Sequence, residues 1–334
     1  MSRQTMLHLL RQNPGEFVSG EQVSEQLGIS RAAVWKAVDA LRREGYAIEA
    51  RTGLGYRLTA TPDTLSEPEV ASFLPAVRTV GRRLVCLSEV DSTNTYAKQL
   101  AMSGGEDGTV VIADCQTAGR GRMNRSFQSP PGRGIYLTAL LRPPLPPERL
   151  LSVTALSGVA VCAAVEQVCG VRPQLKWPND PVLHGKKLCG ILTEMSLEGE
   201  TGRLQYLVIG IGVNVLQQPE DFSPEVREIA TSLAQELGRP VSRPQLAAAE
   251  IGELDRLYAA LCAGETAPYL ERFRRDCVTL GREIQILRAD GSREHAVALD
   301  VDDQFGLLVR RDDGSVDVVR SGEASVRGMY GYVE

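Results

Sequence analysis

Residues 116–125 read QTAGRGRMNR, and two further stretches follow: KWPND at 176–180 and GKKLCGI at 185–191. The first stretch alternates arginines with glycines, so its backbone can approach a ligand closely while its guanidinium groups reach anionic oxygens. Glycine-containing basic loops of this kind are typical of sites that bind carboxylates and phosphates. The stretches therefore predict an anion-binding site.

Two more motifs flank these stretches, DSTN at 91–94 and GIGVN at 210–214. In this order the five motifs resemble the biotin protein ligase family. The first 60 residues also resemble a winged helix-turn-helix, as in family members that are both biotin ligases and biotin-operon repressors. The resemblance implies a multidomain α/β protein: an N-terminal winged helix-turn-helix, a central mixed α/β biotin/lipoyl ligase-like catalytic domain and a C-terminal SH3-like β-barrel.

Length and composition agree with several domains. A chain of 334 residues is too long for one ordinary core, so two or three domains are expected. With 43% hydrophobic residues, 24% charged residues and a net charge of −5, it is not a generally basic nucleic-acid binder. Any contact with DNA must therefore be local.

The cysteines and the apolar segments predict a cytoplasmic protein outside the membrane. The seven cysteines are odd in number and show no metal-binding spacing, which favours reduced thiols. The first ten residues contain no long apolar core and no cleavage site of small residues. The apolar run 150–165 is interrupted by hydroxyl residues and is too short to span a bilayer, so we interpret it as a buried helix.

Residues 1–60 show the signals of a helix-turn-helix. Ser19 and Gln22 form a capping-box pattern that opens a helix ending at Gly28, and Ser30 caps a second helix. Residues 46–59 predict two short strands around a glycine turn, which would be the wing.

Three residues at the start of the second helix are the candidates for DNA contact: Arg31, Ala32 and Lys36. Residues 1–58 carry eight Lys/Arg and six Asp/Glu, a net charge of +2 (8 − 6), which suits DNA. From the pattern alone, a small helical domain for protein contacts remains the alternative. Residues 60–69 contain two prolines and no periodicity, and predict a linker.

The second domain, 70–272, alternates apolar strand patterns with helical runs, which is typical of a mixed α/β domain. Strands are expected at 83–88, 109–114, 135–141, 188–196 and 205–213, with helices after Ser92 and at 151–168. The pattern does not select a topology.

The resemblance implies the chemistry of this domain: the biotin carboxylate attacks the α-phosphate of ATP, and a lysine amine of an acceptor protein then attacks the adenylate. Biotin, ATP and Mg²⁺ are the expected ligands. Such a site must gather positive charges and exclude water from the mixed anhydride.

The resemblance also assigns roles to residues of the motifs. The expected catalytic residues are Lys187, Arg122 and Asp180. The expected biotin-binding residues are Ser92, Thr93, Asn94, Gln116, Arg120, Gly121, Arg122, Lys187 and Gly190. The expected nucleotide-binding residues are Arg122, Arg125, Lys176, Asn179 and Asn214. Without the resemblance, these residues read as a solvated basic loop, surface lysines and turn caps.

The chain departs from the family at Asn124, where members usually have glycine, and at Phe127, where they have tryptophan. Asparagine tolerates a positive φ, and phenylalanine keeps the aromatic packing without the indole N–H. Neither change removes a charge.

The third domain, 273–334, shows short β-rich runs at 283–288, 295–301, 307–310 and 316–320. These runs predict the small barrel, and they contain no evident catalytic constellation.

The resemblance implies a biotin carboxyl carrier protein, operator DNA and a second copy of the chain as partners. Two other functions stay open. A lipoate or octanoate protein ligase shares the fold, and a biotin-sensing DNA-binding regulator would have lost turnover. The polar set around DSTN and Gln116 favours a ureido ring over an aliphatic chain.

Overall fold

The computed structural model describes residues 3–121, 125–288, 291–320, 324–328 and 332–333. The chain forms two compact units, Met1–Asp63 and Thr64–Glu334. Each unit has a hydrophobic core of its own.

The first unit consists of three helices followed by a hairpin: α1 Arg3–Gln12, α2 Gly20–Leu27, α3 Arg31–Arg43, β1 Ala47–Arg51 and β2 Gly55–Ala60. The two strands pair antiparallel. Its core contains Leu10, Val34 and Val38, which recur on the inner faces of α1 and α3.

The predicted serine caps of α2 and α3 are confirmed, the capping box of α2 by its Ser19 bond. Ser19 Oγ accepts from the Gln22 N–H at 3.4 Å, and Ser30 Oγ accepts from the Ala33 N–H at 3.2 Å. Gly28 ends α2 in the left-handed region at φ 62°, which glycine adopts without a steric penalty. A tight turn thus joins two helices in the arrangement that the sequence predicts.

The second unit contains seven α-helices among the described residues: α4 Glu67–Phe73, α5 Thr93–Met102, α6 Val153–Cys169, α7 Pro224–Arg227, α8 Leu233–Leu237, α9 Arg243–Ala263 and α10 Ala267–Asp276. Its strands are β3 Arg83–Leu87, β4 Thr109–Ala113, β5 Gly134–Leu141, β6 Gln174–Lys176, β7 Asp180–Leu183, β8 Lys186–Lys187, β9 Cys189–Leu197, β10 Leu204–Asn214, β11 Glu283–Arg288, β12 Arg293–Val301, β13 Leu307–Arg311, β14 Val316–Val319 and β15 Ala324–Gly328.

The central sheet is mixed and has the order β3-β4-β5-β10-β9. Strands β3 and β4 are parallel, while the other neighbours are antiparallel. Alternate residues of β4 face opposite sides: Val110 belongs to the core that includes α6 and α9, and Val111 packs with Ala97 of α5. The sheet therefore has helices on both faces.

Two smaller sheets complete the unit, one of order β6-β7-β8 and one of order β14-β13-β12-β11-β15. The four strand runs predicted after residue 281 are present, whereas β15, which pairs with β11, has no counterpart in the prediction. The proposed domain boundary at 272/273 falls inside α10.

The predicted linker 60–69 is too long, because α4 begins within it at Glu67. Pro68 lies in the first turn of α4, where a missing N–H costs nothing. Glu69 is fully buried. The prolines that suggested a linker are therefore compatible with a helix start.

The stretch Pro147–Cys169 is long and apolar enough to cross a membrane by length and composition. Most of its α6 portion is buried in the core of the second unit. We interpret it as a core helix, as the sequence predicts. All seven cysteines, each among the described residues, are free thiols.

Glu250 lies in α9, is 1% exposed, and neither of its carboxylate oxygens has a hydrogen-bond partner. Burial raises the pKa of this carboxyl to about 8. The folded state therefore binds this proton more tightly than the unfolded chain, whose glutamate titrates at about 4.3. The contribution of Glu250 to the free energy of unfolding is therefore fully present below about pH 4.3 and is lost as the pH rises toward 8.

We expect Glu250→Gln to raise the free energy of unfolding at pH 8 by about 2 kcal/mol or more and to change it little at pH 4.5. Urea denaturation at both pH values measures the difference. Glu253→Gln in the same helix, which removes an ion pair with Arg256, serves as the control. An equal effect of Glu250→Gln at both pH values would show that Glu250 does not titrate in this range.

Candidate active site

A cavity of about 470 Å³ lies over the central sheet and brings the separate motifs together. Thirteen residues predicted for the site line it: Ser92, Thr93, Asn94, Gln116, Arg120, Gly121, Arg125, Lys176, Asn179, Asp180, Lys187, Gly190 and Asn214. Arg122, also predicted for the site, and Asn124 lie outside the described residues.

One side of the cavity is lined by Thr93, Asn94 and Gln116, which are hydrogen-bonded to Ser129 and Thr138. These five residues are here called the polar cluster. Gln116 Oε1 accepts from Thr93 N at 2.9 Å and from Thr93 Oγ1 at 3.0 Å, and its Nε2 donates to Ser129 Oγ at 2.9 Å. Thr138 Oγ1 lies 2.8 Å from Thr93 Oγ1 and 2.7 Å from Asn94 Oδ1. The cluster presents fixed amide and hydroxyl groups to a ligand.

The floor of the cavity is made by glycines of two adjacent strands. Gly190 of β9 pairs with Gly212 of β10, and the Phe127 ring lies on both. A Cβ at Gly190 would lie 3.0 Å from this ring, and a Cβ at Gly212 would lie 2.5 Å from it. The absence of side chains here lets a flat ring lie against the sheet.

Lys187 and Asp180 form an ion pair across the β7–β8 hairpin. Lys187 Nζ lies 2.6 Å from Asp180 Oδ1, and the two side chains are 28% and 18% exposed. Burial raises the pKa of Asp180, but its contacts with Lys187, Tyr332 and Lys176 outweigh this effect and hold the pKa below its usual value. Asp180 is therefore the negatively charged partner that the half-buried Lys187 requires.

The main chain of Lys187 is also fixed. Its N–H donates to the Ile229 carbonyl at 2.7 Å, and its carbonyl accepts from Thr231 N at 3.0 Å. The adjacent Lys186 is exposed, as the strand alternation predicts.

The two asparagines predicted for nucleotide binding are buried and hold backbone segments. Asn179 Nδ2 donates to the Ile191 carbonyl at 3.0 Å. Asn214 Nδ2 donates to the Thr231 carbonyl at 3.0 Å, and its Oδ1 accepts from Gln217 at 3.2 Å. These bonds shape the cavity, and the proposed contact of either residue with a nucleotide stays a prediction.

The arginine-containing stretch reaches the mouth of the cavity. Arg120 and Arg125 are exposed, and the Gly121 N–H donates to the Arg125 carbonyl at 2.7 Å. Together with Lys176 and Lys187, these arginines give the cavity four cationic side chains, against the carboxylates of Asp180 and Glu225. The net positive charge suits an anionic ligand.

Part of the cavity was not predicted. Phe222, Glu225 and Val226 line it from the segment around α7, and Val326 and Tyr332 line it from the C-terminal region. None of these positions carries a motif, and their approach depends on the tertiary fold.

The described part of the chain contains no group of three or more His, Cys, Asp or Glu side chains that would hold a metal ion. Asp180 is already paired with Lys187.

In the first unit, Arg31, Ala32 and Lys36 are all exposed on α3. Arg31 forms an ion pair with Glu21 of α2. Trp35, which no sequence motif indicated, is 55% exposed beside Lys36. Within the first unit, this face of α3 is therefore exposed and accessible to a large partner.

The first unit has the helix-turn-helix of a DNA-binding protein. The second is an α/β unit with a cationic pocket that can bind an anionic ligand, as in an enzyme. The model of the family described as "Biotin/lipoate A/B protein ligase family" matches residues 87–214, and a helix-turn-helix domain model matches residues 2–57. The chain belongs to the biotin protein ligase family, in its bifunctional ligase/repressor branch.

Relatives cover nearly the whole chain. The bifunctional ligase/repressor BirA of Bacillus subtilis is 37% identical over 93% of this chain and 95% of its own length. BirA of Escherichia coli is 31% identical over 94% of each chain. Among solved structures, the biotin protein ligase from Aquifex aeolicus in complex with biotin and ATP has a TM-score of 0.63 and 28% identity, covering 74% of this chain and 99% of that chain.

Proposed function

We propose that this protein activates biotin with ATP to biotinyl-5′-AMP, transfers biotin to a lysine of a biotin carboxyl carrier protein, and represses transcription in response to biotin. The observation that carries the proposal is one cavity that combines the polar cluster, the glycine floor and four cations. The names of the relatives from Bacillus and Escherichia support it.

The cavity matches the chemical problem of adenylation. A carboxylate and a triphosphate repel each other, so reaction requires cations where the two meet. We assign this role to Lys187, Arg120 and Arg122. We assign nucleotide binding to Arg125, Lys176, Asn179 and Asn214. Asp180 orients Lys187 through the 2.6 Å contact.

The polar cluster favours biotin over an aliphatic acyl group. A ureido ring offers one carbonyl acceptor and two N–H donors, which the hydroxyl and amide groups of Ser92, Thr93, Asn94 and Gln116 can satisfy. An octanoyl chain has no hydrogen-bonding group at this end and would gain no bond from the cluster. Phe127, whose ring covers the two floor glycines and lines the cavity, offers the bicyclic ring an apolar surface.

The test is pyrophosphate release by the purified protein with ATP, Mg²⁺ and biotin, lipoate or octanoate in parallel. We expect pyrophosphate release with biotin and none with lipoate or octanoate. Release with lipoate or octanoate and not with biotin would assign the protein to the lipoate ligases. A folded protein that binds biotin but releases no pyrophosphate would be the regulator that has lost turnover.

For the first unit we propose recognition of operator DNA through α3, by a homodimer on a palindromic site. Arg31, Ala32 and Lys36 are the proposed contact residues, with the β1–β2 hairpin as the wing. The homodimer is supported by β9, which ends the central sheet and exposes Met195 and Leu197.

We expect Lys36→Ala to weaken operator binding about tenfold and to reduce the slope of log K against log salt by about one, because one phosphate contact is lost. Gel shifts at several salt concentrations measure both quantities. Lys186→Ala, which removes one exposed lysine charge from the second unit, is the matched control. An unchanged salt slope would exclude a phosphate contact.

Mg²⁺ enters with ATP as the MgATP substrate, in keeping with the absence of a carboxylate cluster among the described residues. The sheet β14-β13-β12-β11-β15 is an SH3-like barrel. The functional domains are those predicted, 1–60, 70–272 and 273–334, with the last boundary moved to the end of α10 at Asp276. The protein acts in the cytoplasm, in keeping with its free thiols.

A further inference from the structure

Tyr332 lies in the cavity although it is 152 residues from Asp180 along the chain. Its hydroxyl donates to Asp180 Oδ2, the oxygen that does not contact Lys187. Its ring faces Lys176, whose Nζ lies 3.7 Å from the ring centroid. One side chain thus contacts both a carboxylate and a cation of the site.

These contacts divide between two groups that have different proposed tasks. Asp180 has one oxygen on Lys187 and the other on Tyr332, so the phenol restricts rotation of the carboxylate that holds the Lys187 ammonium. Lys176 is 6% exposed, and its ammonium over the aromatic face is held there by attraction to the π electrons of the ring. The hydroxyl therefore holds the carboxylate that pairs with Lys187, and the ring contacts the Lys176 ammonium.

The surrounding structure supports a fixed position for this region. Trp177, next to Lys176, is 1% exposed, and its Nε1 donates to the Phe305 carbonyl at 2.9 Å. The Trp177 N–H donates to Thr279 Oγ1 at 3.0 Å. The KWPND segment is thus bonded to the C-terminal part of the same unit that supplies Tyr332.

We propose that Tyr332 is a positioning residue for adenylation: its hydroxyl orients Asp180 and through it Lys187, and its ring holds Lys176 at the nucleotide side. This inference rests on the proposed function. The C-terminal region then takes part in the chemistry by completing the cation arrangement of the central domain, without touching the reacting atoms.

Two substitutions separate the hydroxyl from the ring. Tyr332→Phe removes the bond to Asp180 and keeps the aromatic face for Lys176, whereas Tyr332→Leu removes both. Tyr206→Phe, in β10 and outside the cavity lining, removes a phenol without touching either group. Steady-state pyrophosphate release with biotin, ATP and Mg²⁺ is measured for the full chain and each variant, together with thermal unfolding.

For Tyr332→Phe we expect a kcat about fivefold lower, equivalent to ~1 kcal/mol, with the KM for ATP within about twofold of the parent. Tyr332→Leu should show the same loss of kcat and a KM for ATP about fivefold higher. Tyr206→Phe should match the parent. All variants should melt within about 2 °C of the parent.

An active parent with an unchanged Tyr332→Phe variant would overturn the inference alone. Equal losses in the Phe and Leu variants that follow a fall in melting temperature would also overturn it, because they would indicate packing only. A parent that releases no pyrophosphate with biotin would overturn the proposed function first, and the positioning role with it.

Discussion

Lys187→Ala is expected to lower the rate of biotinyl-adenylate formation by about 100-fold or more while leaving the protein folded. The reason is that its charge is used mainly as negative charge develops between carboxylate and phosphate, and preorganised contacts of this kind are worth about 2.7–4 kcal/mol. Pyrophosphate release under biotin saturation measures the rate.

Lys186→Ala is the matched control, because Lys186 is adjacent in sequence, equally charged and exposed. It should keep the parent rate. A loss of less than about tenfold in Lys187→Ala, equivalent to ~1.4 kcal/mol, would remove Lys187 from the catalytic assignment. Thermal unfolding of both variants excludes a folding defect as the cause.

A chain that begins at Thr64 is expected to lose operator binding and to keep adenylate synthesis at least in part. The first compact unit ends at Asp63, and every residue assigned to the chemistry lies at or beyond Ser92. The full chain should bind a palindromic operator more tightly with biotin and ATP than without, because ligand binding and DNA binding are coupled in the proposed mechanism.

Gel shifts with the full chain, the shortened chain and the Lys187→Ala variant test this. The variant retains α3 and should bind the operator without responding to biotin and ATP. Operator binding by the shortened chain would contradict the assignment of the first unit. Specific binding by none of the proteins would leave that unit as a protein-contact domain.

The sequence predicted the parts of the fold whose signals are local. Ser19, Gly28 and Ser30 act within a few residues of their positions, and each is found as predicted. The strands of the central sheet were predicted to within about two residues because each is a short apolar run bounded by turns. Their order in the sheet was not predicted, since register and neighbours depend on contacts distant in sequence.

The elements that were missed lack such local signals. Helix α9 has apolar residues around most of its circumference, so no single stripe marks it, and it includes the buried Glu250. The start of α4 was missed because Pro68, which lies in its first turn, was taken as a sign of a linker. The place of Tyr332 in the cavity follows from the packing of the C-terminal region against KWPND, which no spacing within the sequence encodes.

Biotin transfer is tested by intact-mass measurement of a carrier domain with a single target lysine after incubation with the protein, biotin and MgATP. We expect the addition of one biotin to that domain, none to its Lys→Arg version, and none when lipoate replaces biotin. No added mass with folded protein and carrier, or equal acylation by lipoate, would contradict it.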